Sequence, residues 1–156
     1  MQTQEEKMKR HVNVLAAIVM LSTAPAAFAE SHGEQMSMMS PGLMIPLMNP
    51  AKGRLLFASK GCVVCHSING VGGEDAPMLD AEFMDMPMNP FEFAARMWRG
   101  APAMIAAQED ELGAQIEFTG EELGNIIAFV HDAGEQAKFS EDDIPPEIQE
   151  MMEHME

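Results

Sequence analysis

Two cysteines and one histidine form the motif with the most specific chemistry in this chain. Cys62, Cys65 and His66 spell C-x-x-C-H, and the chain contains no other cysteine. Two thiols at this spacing add across the vinyl groups of haem, while the adjacent imidazole reaches the iron from one face. The motif therefore predicts one covalently attached haem c, with His66 as an iron ligand.

Other uses of a cysteine pair fit the sequence less well. A zinc site needs two further Cys or His ligands at matching spacing, and the other histidines stand singly at positions 11, 32, 131 and 154. A thioredoxin-like pair follows a strand and opens a helix, whereas a glycine-rich loop follows His66. Haem attachment is thus favoured over zinc, thiol redox chemistry and a structural disulfide.

Residues 1–29 have the pattern of a signal peptide. Basic residues precede an apolar run over residues 12–21, and an A-F-A cleavage pattern ends at Ala29. The run is short for a membrane span and lacks a charged stop, so we expect cleavage near Ala29, a periplasmic location and no stable span in the mature protein. Because the first seven residues are acidic at their centre, Met8 is an alternative start.

The chain is strongly acidic. Its formal net charge is −16, which becomes −17 when residues 1–29 are removed with their three basic and two acidic side chains. This charge argues against nucleic acid and anionic lipid as partners. It favours redox partners with basic docking surfaces, although general solubility explains an acidic surface equally well.

Start and stop residues predict three helices, over residues 49–61, 89–100 and 119–134. The first two begin with Asn-Pro, the third begins with a capping box formed by Thr119 and Glu122, and each ends at a glycine. No run shows the alternation of a strand, so the predicted fold class is all-α.

The flanks of this helical region differ from it in composition. Residues 30–48 are rich in Met, Pro and Ser and predict a flexible leader. Residues 135–156 form an acidic tail, in which apolar residues recur at helical spacing: Ile148, Met151, Met152 and Met155. This stripe predicts a short amphipathic helix that docks on the domain or on a partner, with a frayed tail as the alternative.

Over residues 49–134 the order of features resembles a class I cytochrome c. A short helix precedes C-x-x-C-H, and a loop, a middle helix, a Met-bearing loop and a closing helix follow it. The resemblance implies a class I cytochrome c-like fold, with three main helices and long loops around one haem. It also implies an electron-transfer protein rather than an enzyme, because two axial ligands leave no iron site for a substrate. A dehydrogenase, an oxidase or another electron-transfer protein would be its partner.

In that family the first and last helices cross closely, using a glycine and an aromatic residue on the first. Gly53 and Phe57 are the matching residues here, facing Ile126, Phe129 and Val130 on the closing helix. A glycine inside a helix costs about 1 kcal/mol relative to alanine, so a close backbone approach is the sensible reason for Gly53.

The resemblance also assigns the surroundings of the haem. The carbonyl of Pro77 would accept a hydrogen bond from His66, and Leu79 would lie at the haem edge, although Ala76 replaces the family's usual glycine. Trp98 would hydrogen-bond a propionate or fill core space. Arg96 and Arg99 would pair with propionates or lie on a solvated helix face.

The family places the sixth iron ligand in a loop before the closing helix. Met104 lies there, in a stretch M-W-R-G-A-P-A-M that resembles a run seen in some relatives, and is the predicted ligand. Met88 and Met86 are the alternatives, together with Met97, which is better explained as a core residue.

Two other functions are also compatible with the sequence. Met-rich segments with nearby histidines suit Cu(I), so a periplasmic copper-handling protein is one alternative. A peroxidase-like haem enzyme is the other, and it would need a displaceable sixth ligand.

Overall fold

The computed structural model describes residues 42–154, and a compact unit starts at Met44. The predicted signal peptide lies outside the described residues, as do residues 30–41 of the leader. The described helices are α1 (Pro50–Ser59), α2 (Cys62–Cys65), α3 (Pro90–Glu111), α4 (Gly120–Val130), α5 (Ala133–Gln136) and α6 (Pro146–Glu153), with 3-10 turns at Ala81–Phe83 and Glu141–Asp143. The predicted all-α class is confirmed.

A two-residue hairpin is the only sheet among these residues. Strand β1 (Ser67–Ile68) pairs antiparallel with β2 (Val71–Gly72). Asn69 and Gly70 connect them with φ angles of 50° and 79°. Asn-Gly is the preferred pair for a tight hairpin turn with two positive φ angles, so the sequence carried a turn signal within its glycine-rich loop.

Helices α1 and α4 cross at the predicted glycine. A β-carbon on Gly53 would lie 2.0 Å from the carbonyl oxygen of Asn125 and 2.8 Å from Cβ of Phe129, so only glycine permits this approach. The backbone N–H of Asn49, the cap of α1, donates to Oδ1 of Asn125 over 2.8 Å. The rings of Phe57 and Phe129 pack with centroids 5.8 Å apart, which confirms the predicted crossing.

The C-terminal segment completes the core. The ring of Phe139 packs against Phe57 at 5.6 Å and against Phe129 at 5.8 Å, so three buried aromatic rings contact one another. Ile144 and Ile148 belong to the same buried cluster. The residues after 134 are therefore part of the folded unit.

Helix α6 is the predicted amphipathic helix, and it packs on the domain. Ile148 is buried, and its Cδ1 lies beside Gly61 at the start of the C-x-x-C-H turn. Met152 packs against the core, whereas Met151 is exposed and Met155 lies outside the described residues. Of the arrangements considered for the tail, the structure has the docked one.

Two helix ends differ from their predictions. Helix α3 does not end at Gly100 but continues through Pro102 to Glu111, and Gly113, with φ of 77°, follows its cap. An alanine-rich stretch after Gly100 explains this, because alanine has the highest helix propensity. Helix α4 ends at Val130 rather than at Gly134, which lies inside α5.

Arg54 ties α1 to the C-terminal segment. Its Nε donates to Glu135 over 2.9 Å and its Nη1 donates to Asp143. All three side chains are largely buried. Lys138 also contacts Glu135 over 2.6 Å. The ammonium of Lys138 and then the guanidinium of Arg54 hold the pKa of Glu135 below its ordinary value.

This network predicts a specific acid sensitivity. The unfolded chain binds a proton at Glu135 more readily than the folded chain, so the stabilisation is present above the ordinary pKa of 4.5 and is lost as the pH falls below it. In Glu135→Gln this part of the pH dependence should vanish. Thermal melts between about pH 3 and pH 6, a range that brackets the ordinary pKa of Glu135, would measure it. Glu121→Gln, which removes an ion pair exposed to solvent, is the control. An unchanged acid limb in Glu135→Gln would contradict the prediction.

Candidate haem site

The C-x-x-C-H motif occupies a single helical turn directly after α1. Gly61, with φ of 81°, separates α1 from α2, as its predicted role at the helix end requires. Val63 and Val64 are buried in the core, which fixes the turn. Cys62 and Cys65 stand three residues apart and therefore share one face of the turn.

Burial changes the acidity of both cysteine thiols. It raises the pKa of the Cys62 thiol to about 12. Burial also raises the pKa of Cys65, followed by the negative charges of Asp75 and Glu111. A thiol–disulfide catalyst needs a thiol with a lowered pKa, so these raised pKa values disfavour thioredoxin-like chemistry.

His66 is held by the contact that the resemblance implied. The residue is extended, and its Nδ1–H donates to the carbonyl oxygen of Pro77 over 2.7 Å. A carbonyl can only accept, so the hydrogen of this bond lies on Nδ1. No hydrogen bond within residues 42–154 engages Nε2. Two thiols on one turn and an imidazole nitrogen without a hydrogen bond among these residues form a donor set that fits a covalently held haem.

The loop after His66 folds back against the motif. The N–H of Gly73 donates to Val63 and that of Ala76 donates to Cys65, each over 2.9 Å. A β-carbon on Gly73 would lie 1.9 Å from the carbonyl oxygen of Val64, so glycine is required there. Ala76 makes its backbone bond without being a glycine, and the turn before Pro77 therefore tolerates the departure from the family pattern.

The loop is closed further along by side chains that the sequence did not single out. Oδ1 of Asp80 accepts from the N–H of Asn69 over 2.6 Å. The buried amide of Gln136 donates to the carbonyl of Leu79 over 3.0 Å and accepts from the N–H of Ala81 over 2.8 Å. Leu79 itself packs partly buried against the core. Asp80 lies within this loop in the sequence, whereas Gln136 is distant in the sequence and no local pattern pairs it with the loop.

The candidate sixth ligands stand in different settings. Met104 is half-buried inside α3, so its predicted position in a loop is wrong, because α3 runs past Gly100. Met97 is half-buried on the same helix, and Met86 is 73% exposed. The sulfur of Met88 lies 3.2 Å from Nε2 of His131, whose Nδ1 donates to the carbonyl of Ile127.

Trp98 and the two arginines lie on the exposed side of α3. Trp98 is 80% exposed in the described chain. Arg96 pairs with Asp85 over 2.5 Å and with Glu92 over 3.3 Å, and Arg99 lies 3.6 Å from Glu92. These arginines thus lie on a solvated helix face, where protein carboxylates already partner them.

Two broader features of residues 42–154 bear on the alternatives. They contain no group of three or more His, Cys, Asp and Glu side chains that could hold a metal ion. None of the helices described there has the length and apolar character needed to cross a membrane.

A helical domain that wraps a C-x-x-C-H turn with a backbone-bonded histidine defines a covalent haem protein. The chain matches the family model of cytochrome c over residues 50–134. The match spans more than half of the chain, and this protein belongs to the cytochrome c family. A family match of this kind supports a haem-binding electron carrier that holds its haem through the cysteine pair. No curated protein and no solved structure matches the chain.

Proposed function

We propose that this protein is an exported one-electron carrier with a single haem c, whose iron is ligated by His66 and Met104. The observation that carries the proposal is the 2.7 Å hydrogen bond from Nδ1 of His66 to Pro77. It fixes the tautomer and ring orientation and leaves Nε2 free for the iron, as in other proteins where a backbone carbonyl supports a metal-bound histidine.

Met104 is favoured as the second ligand by the resemblance to the family, and its side chain is half-buried on α3. Met86 is 73% exposed, and the sulfur of Met88 lies 3.2 Å from Nε2 of His131. Met104 lies seven residues after Met97, so both project from a similar face of α3. The proline two residues before Met104 has no N–H, which leaves one carbonyl of the preceding turn without its helical partner and makes the helix adjustable at this point.

His66 and Met104 would hold the iron of a bound haem, which would supply one-electron transfer without binding a substrate. A thioether ligand favours the ferrous iron and a positive reduction potential.

The surface charge supports a partner with a basic docking face. Asp75 and Glu111 lie close enough to Cys65 to raise the pKa of its thiol, so the side of the attachment turn is acidic. Every lysine and arginine of residues 42–154 is already paired with a carboxylate, namely Lys52, Arg54, Lys60, Arg96, Arg99 and Lys138. The unpaired surface charge is therefore negative, which would steer a basic dehydrogenase, oxidase or carrier.

Export is proposed from the sequence of residues 1–29 together with the chemistry of the motif. Covalent attachment of haem to Cys62 and Cys65 through thioether bonds is consistent with a compartment outside the cytoplasm. Mass spectrometry of the purified protein would show a mature chain starting near Glu30 and carrying one haem.

A redox titration followed by absorption spectroscopy tests the function. We expect one haem per chain, one reversible one-electron transition, a low-spin iron in both states, and no carbon monoxide binding to the ferrous protein at neutral pH. His66→Ala should lose the low-spin spectrum, whereas His154→Ala, which alters an exposed histidine, should retain it. Carbon monoxide binding by the unaltered protein would favour the peroxidase-like function, and tight Cu(I) binding without haem would favour copper handling.

A further inference from the structure

The side chain of Gln136 holds the loop that supports His66. Its carboxamide bonds both backbone groups on either side of Asp80, accepting from the N–H of Ala81 and donating to the carbonyl of Leu79. The side chain thus forms hydrogen bonds with the loop backbone of the kind that a neighbouring strand would form. The backbone carbonyl of Gln136 also accepts from Nδ2 of Asn69 over 3.2 Å.

Gln136 is placed rigidly enough for this task. It is 2% exposed, and both polar atoms of its side chain are satisfied by the loop alone among the described residues. Its neighbour Glu135 is held by Arg54 and Lys138, so α5 is anchored to α1 independently of the loop. A buried side chain on an anchored segment therefore bonds the loop where it enters the 3-10 turn at Ala81–Phe83.

The same loop carries the carbonyl that receives the His66 proton. Pro77 is two residues before Leu79, and the N–H of Leu79 donates to Ser67, the residue after His66, over 2.9 Å. The backbone around Pro77 is thus fixed at the Leu79 end by Ser67 and Gln136. Displacing Leu79 would move the Pro77 carbonyl relative to Nδ1 of His66.

We propose that Gln136 is a positioning residue for the iron ligand: through Leu79 and Ala81 it sets the hydrogen bond between His66 and Pro77, and thereby the basicity and orientation of the imidazole. The inference rests on the proposed ligation by His66. Gln136 lies outside the stretch that matches the family, so the device belongs to the C-terminal segment of this chain.

Gln136→Met tests the proposal with a side chain of similar length that cannot form either hydrogen bond. A looser Pro77 carbonyl makes the imidazole less basic and stabilises the ferric iron less, so the potential should rise. We expect a three- to tenfold loss of ferric preference, which is about 30 to 60 mV for a one-electron couple. In the ¹⁵N-labelled ferrous protein, the His66 Nδ1 proton should exchange with solvent faster than in the unaltered protein, because its hydrogen bond to Pro77 is weaker.

Gln149→Met is the matched control. The amide of Gln149 also donates to two backbone carbonyls of the C-terminal segment, those of Glu141 and Ile144, each over 3.0 Å. It has no hydrogen bond to the loop. We expect Gln149→Met to lower the melting temperature while leaving the potential and the exchange of the His66 proton at their original values.

A milder variant keeps the test decisive if Gln136→Met folds poorly. Asn69→Gly tolerates the positive φ at that position and removes only the bond to the Gln136 carbonyl. It should shift the potential in the same direction by a smaller amount. If Gln136→Met folds poorly and Asn69→Gly changes the melting temperature alone, as Gln149→Met should, the proposal is overturned.

The proposed ligation by His66 and the proposed role of Gln136 can be refuted separately. His66→Ala retaining a low-spin spectrum would refute the ligation, and with it the role of Gln136. A lost low-spin spectrum in His66→Ala, combined with an unshifted potential in Gln136→Met, would overturn the role of Gln136 and leave the proposed function intact.

Discussion

A Gly53→Ala protein is expected to be about 3 kcal/mol less stable than the original chain, at the upper end of typical overpacking effects. The added β-carbon would stand 2.0 Å from the carbonyl oxygen of Asn125 and 2.6 Å from its carbonyl carbon. These are backbone atoms of a helix, which cannot rotate away as a side chain would. The two helices must separate, and the packing of Phe57 on Phe129 loosens with them.

The measurement is the thermal or denaturant midpoint of the haem-loaded protein. A loss of this size lowers the melting temperature by roughly 10 °C in a domain of this length. Gly120→Ala is the matched control, because nothing lies within 4 Å of a β-carbon at that position of the partner helix. We expect it to be neutral or slightly stabilising, since alanine favours helix over glycine. Equal melting temperatures for Gly53→Ala and Gly120→Ala would show that the crossing is not close.

Local chemistry explains which parts of the fold were predictable from the sequence. The capping box of Thr119 and Glu122 is present in α4, and Asn49 caps α1, because a cap depends on residues within one turn. The hydrogen bond between His66 and Pro77 spans eleven residues of one loop, and it too was anticipated. The resemblance supplied that contact, whereas composition and spacing did not.

Competing local signals explain the error in the middle helix. Gly100 and Pro102 both predict a helix end, yet no β-carbon would clash at Gly100 and its φ is not positive. A single proline removes one hydrogen bond, and the alanine-rich turns that follow continue the helix to Glu111. The left-handed glycine that follows this helix is Gly113, two residues after the last helical residue, Glu111.

Long-range packing explains what the sequence could not reveal. Phe139 and Ile144 lie in an acidic segment with no strong period, and only the three-ring contact with Phe57 and Phe129 shows that they are core residues. Gln136 bonds Leu79 and Ala81 from 57 and 55 residues away. A buried glutamine has no local pattern, because its partners are backbone groups that any residue could supply.

Met104 lies in helix α3 rather than in a loop, so a substitution at this position is an informative test of iron ligation. In Met104→Ala we expect the weak near-infrared charge-transfer band between sulfur and ferric iron to disappear. The reduction potential should fall by on the order of 100 mV, because axial ligands set the haem potential over a range of about 0.8 V. Loss of a soft thioether removes the stabilisation of the ferrous state, and water or an external ligand then takes the open position.

Two other methionines make the test selective. Met97→Ala removes a half-buried side chain from the same helix, so it should lower the melting temperature and keep the band. Met88→Ala should also keep the band, because Met104 is the proposed ligand; the sulfur of Met88 lies 3.2 Å from Nε2 of His131. A band that survives in Met104→Ala and is lost in Met88→Ala would transfer the ligand to Met88.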